Sequence, residues 1–202
     1  MRRVDRLSVM PQRPPTASKA PQRIRIVAGS LRGSKIDVID VPGLRPTPDR
    51  VRETLFNWLA PVIVGMRCLD LYAGTGALGI EALSRGAASC AFVERHPRAA
   101  AAIVASLERL KLENASVLQR DALTWLSDAK EQFDLVFVDP PFASDAWATI
   151  SEKLETGGVL ADSAWIYLES PASATPAVPS SWRLHREGRS GDVRHALYQR
   201  LR

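Results

Sequence analysis

The sequence predicts an α/β fold: a mostly parallel sheet with an antiparallel C-terminal hairpin, preceded by a small N-terminal β-hairpin/helix extension. Three observations carry that expectation. From Met66 onward short apolar segments alternate with amphipathic ones, as in a parallel sheet covered by helices on both sides. The run Leu135 to Val138 is apolar without alternation, as in a strand buried on both faces. The stretch CLDLYAGTGALGIEAL, from Cys68, sets Gly74, Gly76 and Gly79 between a strand-like and a helix-like segment.

At 202 residues the chain can bury a full core, so one main domain with a small appendage is expected. Hydrophobic residues at 46% and charged ones at 24% are ordinary globular composition. No apolar run approaches the roughly 18–20 residues of a membrane span, and Met1 to Gln22 lacks an apolar signal-peptide core. A cytoplasmic protein acting as a monomer, away from membranes, is expected. Cys68 and Cys90 lie inside apolar segments and read as buried, reduced thiols. His96, His185 and His195 have no metal-ligand spacing, so no metal is expected.

Charge is uneven along the chain. Residues 1–35 hold nine Lys or Arg against Asp5 alone, while the whole chain nets only +5. A second cluster, Arg183 to Arg202, has six arginines against Glu187 and Asp192. Such asymmetry suits a polyanionic partner, nucleic acid above all; a solvated tail is the plainer alternative.

The elements follow in order. Residues 1–22 contain Pro, Arg and Ser with little periodicity and read as a disordered basic tail. RIRIVAGS and KIDVIDV flank the turn GSLRG, which fits a basic hairpin. In LRPTPDRVRETLFNWLA, Thr47 can N-cap a helix with Pro48 at its first position. Val51, Leu55, Trp58 and Leu59 then share one face, leaving Arg50 and Arg52 outside. Residues 23–61 thus form an N-terminal unit, and residues 62–202 the main domain. The alternating elements run through SAWIYLE, and a Pro- and Ser-rich loop, Ser170 to Ser181, leads to the final hairpin.

Gly74, Gly76 and Gly79 match G-x-G-x-x-G, and Glu94 lies 20 residues beyond Gly74 at the end of the next strand. The pattern suits a nicotinamide dinucleotide or another nucleotide-like cofactor, since glycines permit close backbone approach and the acid accepts from ribose hydroxyls. Asp70 tips the choice. A carboxylate just before the loop disfavours a pyrophosphate and favours a ligand with a sulfonium and an ammonium, which describes S-adenosylmethionine. Tyr72, Ala73, Gly74, Thr75 and Gly76 then line the cofactor site with Glu94 and Arg95. Asp121, followed by Ala122, is placed to accept from the adenine amine; helix N-capping is the alternative for Asp70 and Asp121.

The stretch FVDPPF ends a buried strand in an acid, two prolines and an aromatic ring. An exocyclic amine on a nucleobase delocalises its lone pair into the ring and is a poor nucleophile. Asp139 and the carbonyl of Pro140 can both accept its N–H bonds and turn the lone pair toward a methyl donor. Pro140 and Pro141 have fixed φ and donate nothing. Phe142 offers a face for base stacking, worth about 1–3 kcal/mol, and Asp139 can receive the proton released. The alternative is a strand-end turn with Asp139 as a helix cap and Phe142 in the core.

The blocks RIVAGSLRG, LRPTPDRVRETLFNWL, CLDLYAGTGALGIEALSRGA and FVDPPF together resemble the bacterial 16S ribosomal RNA guanine-N2 methyltransferase family, from about Arg23 to Arg202. DPPF alone is shared with adenine- and glutamine-directed amino methyltransferases. The resemblance implies a Rossmann-like class I methyltransferase with a seven-stranded sheet, S-adenosylmethionine as donor, and a guanine of 16S rRNA as acceptor within a 30S subunit or assembly intermediate. It implies that the glycine loop, Asp70 and Glu94 hold the cofactor and Asp139 to Phe142 the flipped base. The family's usual Gly-Arg is here Gly33-Ser34, so Arg32 or Lys35 would replace a missing cation. Arg25, Arg32, Lys35, Arg45, Arg50 and Arg52 are candidates for phosphate contacts; surface ion pairs with Asp49 and Glu53 are the rival account for the helix arginines. Three other functions compete: an amino methyltransferase acting on adenine or a protein amide, a nicotinamide-dependent reductase, and a non-enzymatic RNA-binding module.

Overall fold

A computed structural model describes residues 22–41, 47–142 and 145–201. The disorder expected for residues 1–22 falls almost wholly outside that range, as does Arg45. In chain order the elements are β1 (Arg23–Arg25), β2 (Lys35–Asp37), α1 (Asp49–Leu59), β3 (Arg67–Asp70), α2 (Ala77–Ser84), β4 (Ser89–Val93), α3 (Pro97–Leu110), β5 (Ala115–Leu118), α4 (Ala122–Asp128), β6 (Phe133–Val138), α5 (Trp147–Thr156), β7 (Leu160–Pro171), β8 (Trp182–Ser190) and β9 (Val193–Arg200).

β1 and β2 form an antiparallel pair with Ile24 opposite Ile36. The other strands form one seven-stranded sheet in the order β5-β4-β3-β6-β7-β9-β8. Its first five strands are parallel, and β9 runs antiparallel to both β7 and β8. Strand order reverses between β3 and β6, so the crevice beyond their C-terminal ends is where an open α/β sheet binds its ligand.

Period-two alternation divides the core. Cys68, Cys90, Phe92, Leu135, Phe137, Trp165 and Tyr167 face α1, α2 and α3. Leu69, Ala91, Val93, Val136, Val138, Ile166 and Leu168 face α4 and α5. The same alternation carries the next acid on each of four neighbouring strands, Glu94, Asp70, Asp139 and Glu169, to the first face at the C-terminal end of the sheet. Gly79 permits the close seating of α2: a Cβ there would lie 2.3 Å from Phe92 Cε1 and 2.7 Å from Cys90 Sγ. Cys68 and Cys90 are buried and free, and desolvation pushes both thiols up.

The N-terminal hairpin is fastened to α2 by polar side chains. Glu81 accepts from the Val27 and Ala28 N–H groups, and Ser84 Oγ donates to the Ala28 carbonyl at 2.6 Å. Two expectations about α1 are corrected. Thr47 does not cap it: the helix starts at Asp49 after Pro48, with no side-chain cap, and Thr47 Oγ1 turns to Glu169 Oε1 at 3.3 Å. Arg52 does not stay outside. Its neighbours Val51, Leu55 and Phe56 face the core, and the guanidinium follows them in, fully buried, donating to the Arg25 carbonyl at 2.7 Å and pairing with Asp49 at 3.2 Å. No helix among the described residues is long and apolar enough to cross a membrane.

Candidate active site

The glycine loop leaves β3 at Asp70 and enters α2 at Ala77. Gly74 and Gly76 take φ of 54° and 75°, a region that favours glycine. The Gly76 N–H closes the turn onto the Ala73 carbonyl at 2.6 Å. Glu94 supports the loop from the end of β4: Oε2 accepts the Gly74 N–H at 2.8 Å and Oε1 the His96 N–H at 2.7 Å. Tyr72, Gly74 and Thr75 are partly buried, Ala73 and Gly76 are buried, and Arg95 is exposed beside Glu94.

Asp70 is buried, and its Oδ2 accepts the Gly79 N–H at 3.0 Å. Both readings of this residue therefore hold local support: it satisfies a donor in the first turn of α2 and also sits at the mouth of the loop. Desolvation pushes its carboxyl up to about 7, against the lowering effect of the Gly79 bond, and Glu94 adds to the rise. Asp121 N-caps α4 through Oδ1, which accepts from Thr124 N–H at 3.0 Å and Oγ1 at 3.2 Å, and Ala122 is buried beneath it. The capping alternative is thus realised at Asp121, which remains exposed on the loop after β5.

Asp139 follows directly on β6, two positions beyond the residue that pairs with Asp70. It is partly buried, and desolvation holds its carboxyl well above the ordinary range, with Glu169 and then Asp70 adding like-charge repulsion. Pro140 is buried and Pro141 exposed. Phe142 is 40% exposed, which removes the core-residue alternative. Its ring centroid lies 6.1 Å from that of Trp147, tilted by 51°. Trp147 is itself anchored by its indole N–H, which donates to the Glu169 carbonyl at 2.7 Å.

Glu169 and Tyr167 are neighbours of the candidate site that carry no motif in the sequence, and Thr47, which reads there as a helix cap, joins them through Glu169. Glu169 sits at the end of a strand whose acid looked like any strand-to-loop boundary; the signal was its parity with Tyr167 on the strand paired to β6. Of the basic candidates, Arg25, Arg32, Lys35 and Arg50 are exposed, whereas Arg52 is buried. Arg183, Arg186 and Arg189 are exposed along edge strand β8, while Arg194 and Arg200 are buried in ion pairs with Glu187 and Glu155.

The four acids share one face at the C-terminal end of the sheet, next to a loop with glycines at positive φ and the strand end that carries the exposed Phe142 ring. Among the described residues no Lys or Arg pairs with Asp70, Glu94 or Asp139. A cluster of acids with no cationic partner is a poor seat for a pyrophosphate and suits an adenosyl ligand with two cationic groups, so the residues present fit S-adenosylmethionine.

Comparison with known proteins agrees. Residues 24–199 match the family model described as Conserved hypothetical protein 95. The chain is 49% identical over 179 residues to the Ribosomal RNA small subunit methyltransferase D of Escherichia coli strain K12, covering 88% of this chain and 90% of that protein. It is 41% identical over 180 residues to the protein of the same name from Haemophilus influenzae, covering 87% and 93%. A solved putative methyltransferase from Escherichia coli superposes with TM-score 0.81 at 48% identity, covering 89% of this chain and 99% of that one. A putative methyltransferase solved with SAH shares the fold at TM-score 0.68 and 16% identity, over 90% of this chain and 57% of that one. The chain belongs to the ribosomal RNA small subunit methyltransferase D family.

Proposed function

We propose that this protein methylates the exocyclic N2 amine of a guanine in 16S rRNA, with S-adenosylmethionine as donor. The observation that carries the reading is the position of Asp139-Pro140-Pro141-Phe142 at the end of β6, across the strand-order reversal from the glycine loop. That position supports Asp139 and the Pro140 carbonyl as acceptors next to the glycine loop, and the exposed Phe142 ring beside them as a stacking face.

The cofactor supplies a methyl group made electrophilic by the adjacent sulfonium. The rest falls to the chain. The glycine loop and Glu94 hold the adenosyl ligand, and Asp70 offsets its positive charge. Asp139 and the Pro140 carbonyl accept the two amine N–H bonds and direct the nitrogen lone pair toward the crevice. Phe142 stacks on the base, which must leave its own stack at a cost of a few kcal/mol, least in an unpaired loop. The basic hairpin and Arg50 contribute phosphate contacts that position the RNA without reading sequence. Residues 23–61 are in this reading the RNA-facing unit, and the substrate is a 30S subunit or assembly intermediate, met by a single chain in the cytoplasm without a metal.

The test is tritiated-methyl transfer to 30S particles and to bare 16S rRNA from cells lacking the gene, followed by nucleoside analysis. N2-methylguanosine is the expected product. N6-methyladenosine, or label in protein, would transfer the assignment to the other amino methyltransferases. Asp139→Ala is expected to abolish turnover while S-adenosylmethionine binding stays within about threefold, under 1 kcal/mol.

A further inference from the structure

Glu169 occupies an unusual place for an acid. It is 3% exposed at the C-terminal end of β7. Val138 pairs with Leu168 in parallel register, so Asp139, directly after β6, and Glu169, on β7, are the next residues along. Phe137 and Tyr167 meet on the face toward α1, 6.3 Å between ring centroids, and two residues further on each strand the same face is reached again. Neighbouring strands run about 4.8 Å apart, which sets the two carboxylates side by side.

Two hydroxyls hold Glu169. Tyr167 Oη donates to Oε1 at 2.8 Å, and Thr47 Oγ1 donates to the same oxygen at 3.3 Å. Burial pushes the Glu169 carboxyl up, and the two hydroxyls work against that rise, since donors on a carboxylate favour its ionised form. Among the described residues no comparable donor reaches Asp139. The like charges of the pair therefore act unequally: Glu169 is the member equipped to stay ionised, and Asp139 is the member left to bind a proton.

The other titratable groups around the pair do not reverse this. Asp70, from β3, is a third acid on the same face. His195, from β9, lies opposite Glu169 in register, and burial lowers its pKa, favouring the neutral ring. Tyr167 is fully buried, and desolvation with the Glu169 charge pushes its phenol far up, so it remains a donor.

We propose that Glu169 is a positioning residue for methyl transfer: tethered by Tyr167 and Thr47, its charge makes Asp139 the acceptor of the proton that the amine releases. This rests on the proposed amine methylation. In that step the amine nitrogen bonds to the methyl carbon as the carbon–sulfur bond breaks, leaving S-adenosylhomocysteine. The nitrogen gains the positive charge and sheds one proton, which passes to Asp139 and then to water. A lone carboxylate of ordinary acidity is a weak acceptor for that proton; one facing a fixed negative neighbour is a better one.

The experiment has two arms. The first is a pH profile of kcat for wild type, Glu169→Gln and Glu169→Asp, with the substrate particle that wild type methylates. The Gln variant is expected to lose about tenfold or more in plateau kcat, to shift its acid limb toward lower pH by about one unit, and to keep its S-adenosylmethionine Kd. The Asp variant, which retains the charge, is expected to keep the acid limb near the wild-type pH. A Gln variant with the wild-type acid limb overturns the proposal.

The second arm needs neither substrate nor variant. Carboxyl 13C titration of wild type is expected to show Glu169 ionising before Asp139, and Asp139 above the ordinary carboxylate range; the reverse order overturns the proposal. Because this arm is blind to the acceptor, a normal Asp139–Glu169 titration beside an unexpected methylated product would indict the substrate assignment and leave the pair intact.

Discussion

Asp70 Oδ2 accepts the Gly79 N–H at 3.0 Å, across the whole glycine loop that joins β3 to α2. The carboxylate satisfies an N-terminal donor of a helix whose N-cap, Gly76, has no side chain to offer. Desolvation nevertheless dominates and raises the carboxyl from 3.8 to about 7.

The sign of the consequence follows from proton counting. Between pH 4 and 7 the native state holds a proton on Asp70 that the unfolded chain has released, so this group's contribution to stability falls as pH rises through that window. The difference is on the order of 4 kcal/mol. Asp70→Asn keeps an acceptor for Gly79 and never ionises. Its ligand-free form is expected to melt above wild type at pH 8, and to bind S-adenosylmethionine at least about tenfold more weakly, roughly 1.4 kcal/mol. Wild-type affinity is expected to rise from pH 6 to 8, because the cationic ligand prefers the ionised acid; the variant should show a flat profile. Melting curves and calorimetric titrations across that range check both, and parallel affinity profiles would remove Asp70 from the cofactor's charge balance.

Arg50 and Arg52 are two residues apart and differ in burial. Arg50 is exposed. Arg52 is fully buried, its Nε and Nη1 have no hydrogen-bond partner among the described residues, and burial lowers its pKa despite Asp49 and Glu81 nearby. Arg50→Ala is expected to reduce the slope of log affinity for rRNA against log salt by about one, with little change in stability. Arg52→Met is expected to leave that slope alone. Its stability should exceed that of Arg52→Ala by about 2–4 kcal/mol, since Met fills the volume that Ala would leave empty. Filter binding at several salt concentrations and urea unfolding separate the two residues.

The sheet was legible because its parallel strands are apolar runs that alternate with amphipathic helices, and because β3, β4 and β6 run into an acid, Asp70, Glu94 and Asp139. Leu135 to Val138 needed no alternation to be read as buried, and Asp139 marked where the ligand side begins. The turn between β3 and α2 was legible from its glycines, since Gly74 and Gly76 both take positive φ there. Arg52 was not legible: a charge at helical spacing reads as outward-facing, and only the carbonyl of Arg25, 27 residues earlier, explains why it turns in. Thr47 was misread for a related reason. A threonine before proline and aspartate is a good local cap, but a tertiary acceptor 122 residues away claimed its hydroxyl. Glu169 carries no motif at all, and its meaning depends on which strand lies beside β6, information held in topology.

Gly79 and Gly33 make a paired test of two reasons for glycine. At Gly79 an added Cβ collides with Phe92 and Cys90 behind α2. At Gly33 an added Cβ meets no atom of the described residues within 4 Å, but φ is +88°. Gly79→Ala is expected to destabilise by about 2–4 kcal/mol and to weaken cofactor binding, because α2 must move off the sheet and the loop moves with it. Gly33→Ala should lose only about 1 kcal/mol from backbone strain, with cofactor affinity unchanged. Urea unfolding and titration of both variants check the contrast, and equal losses would mean that helix seating does not set the loop.

Phe142 presents an aromatic ring at the surface. With 40% of its surface exposed and Trp147 as its ring neighbour, it contributes little to the core. Phe142→Ala is therefore expected to shift the melting temperature by no more than about 2 °C, equivalent to well under 1 kcal/mol. Against rRNA the same change removes a stacking face worth about 1–3 kcal/mol, or roughly 5- to 150-fold in kcat/KM. Phe142→Trp keeps a flat ring and should retain most activity, whereas Phe142→Leu, apolar but not planar, should resemble Ala. S-adenosylmethionine affinity should be equal in all four proteins, which isolates the effect to the base. An Ala variant with wild-type kcat/KM would show that the flipped guanine rests on another surface, and a large loss of melting temperature would restore Phe142 to a packing role.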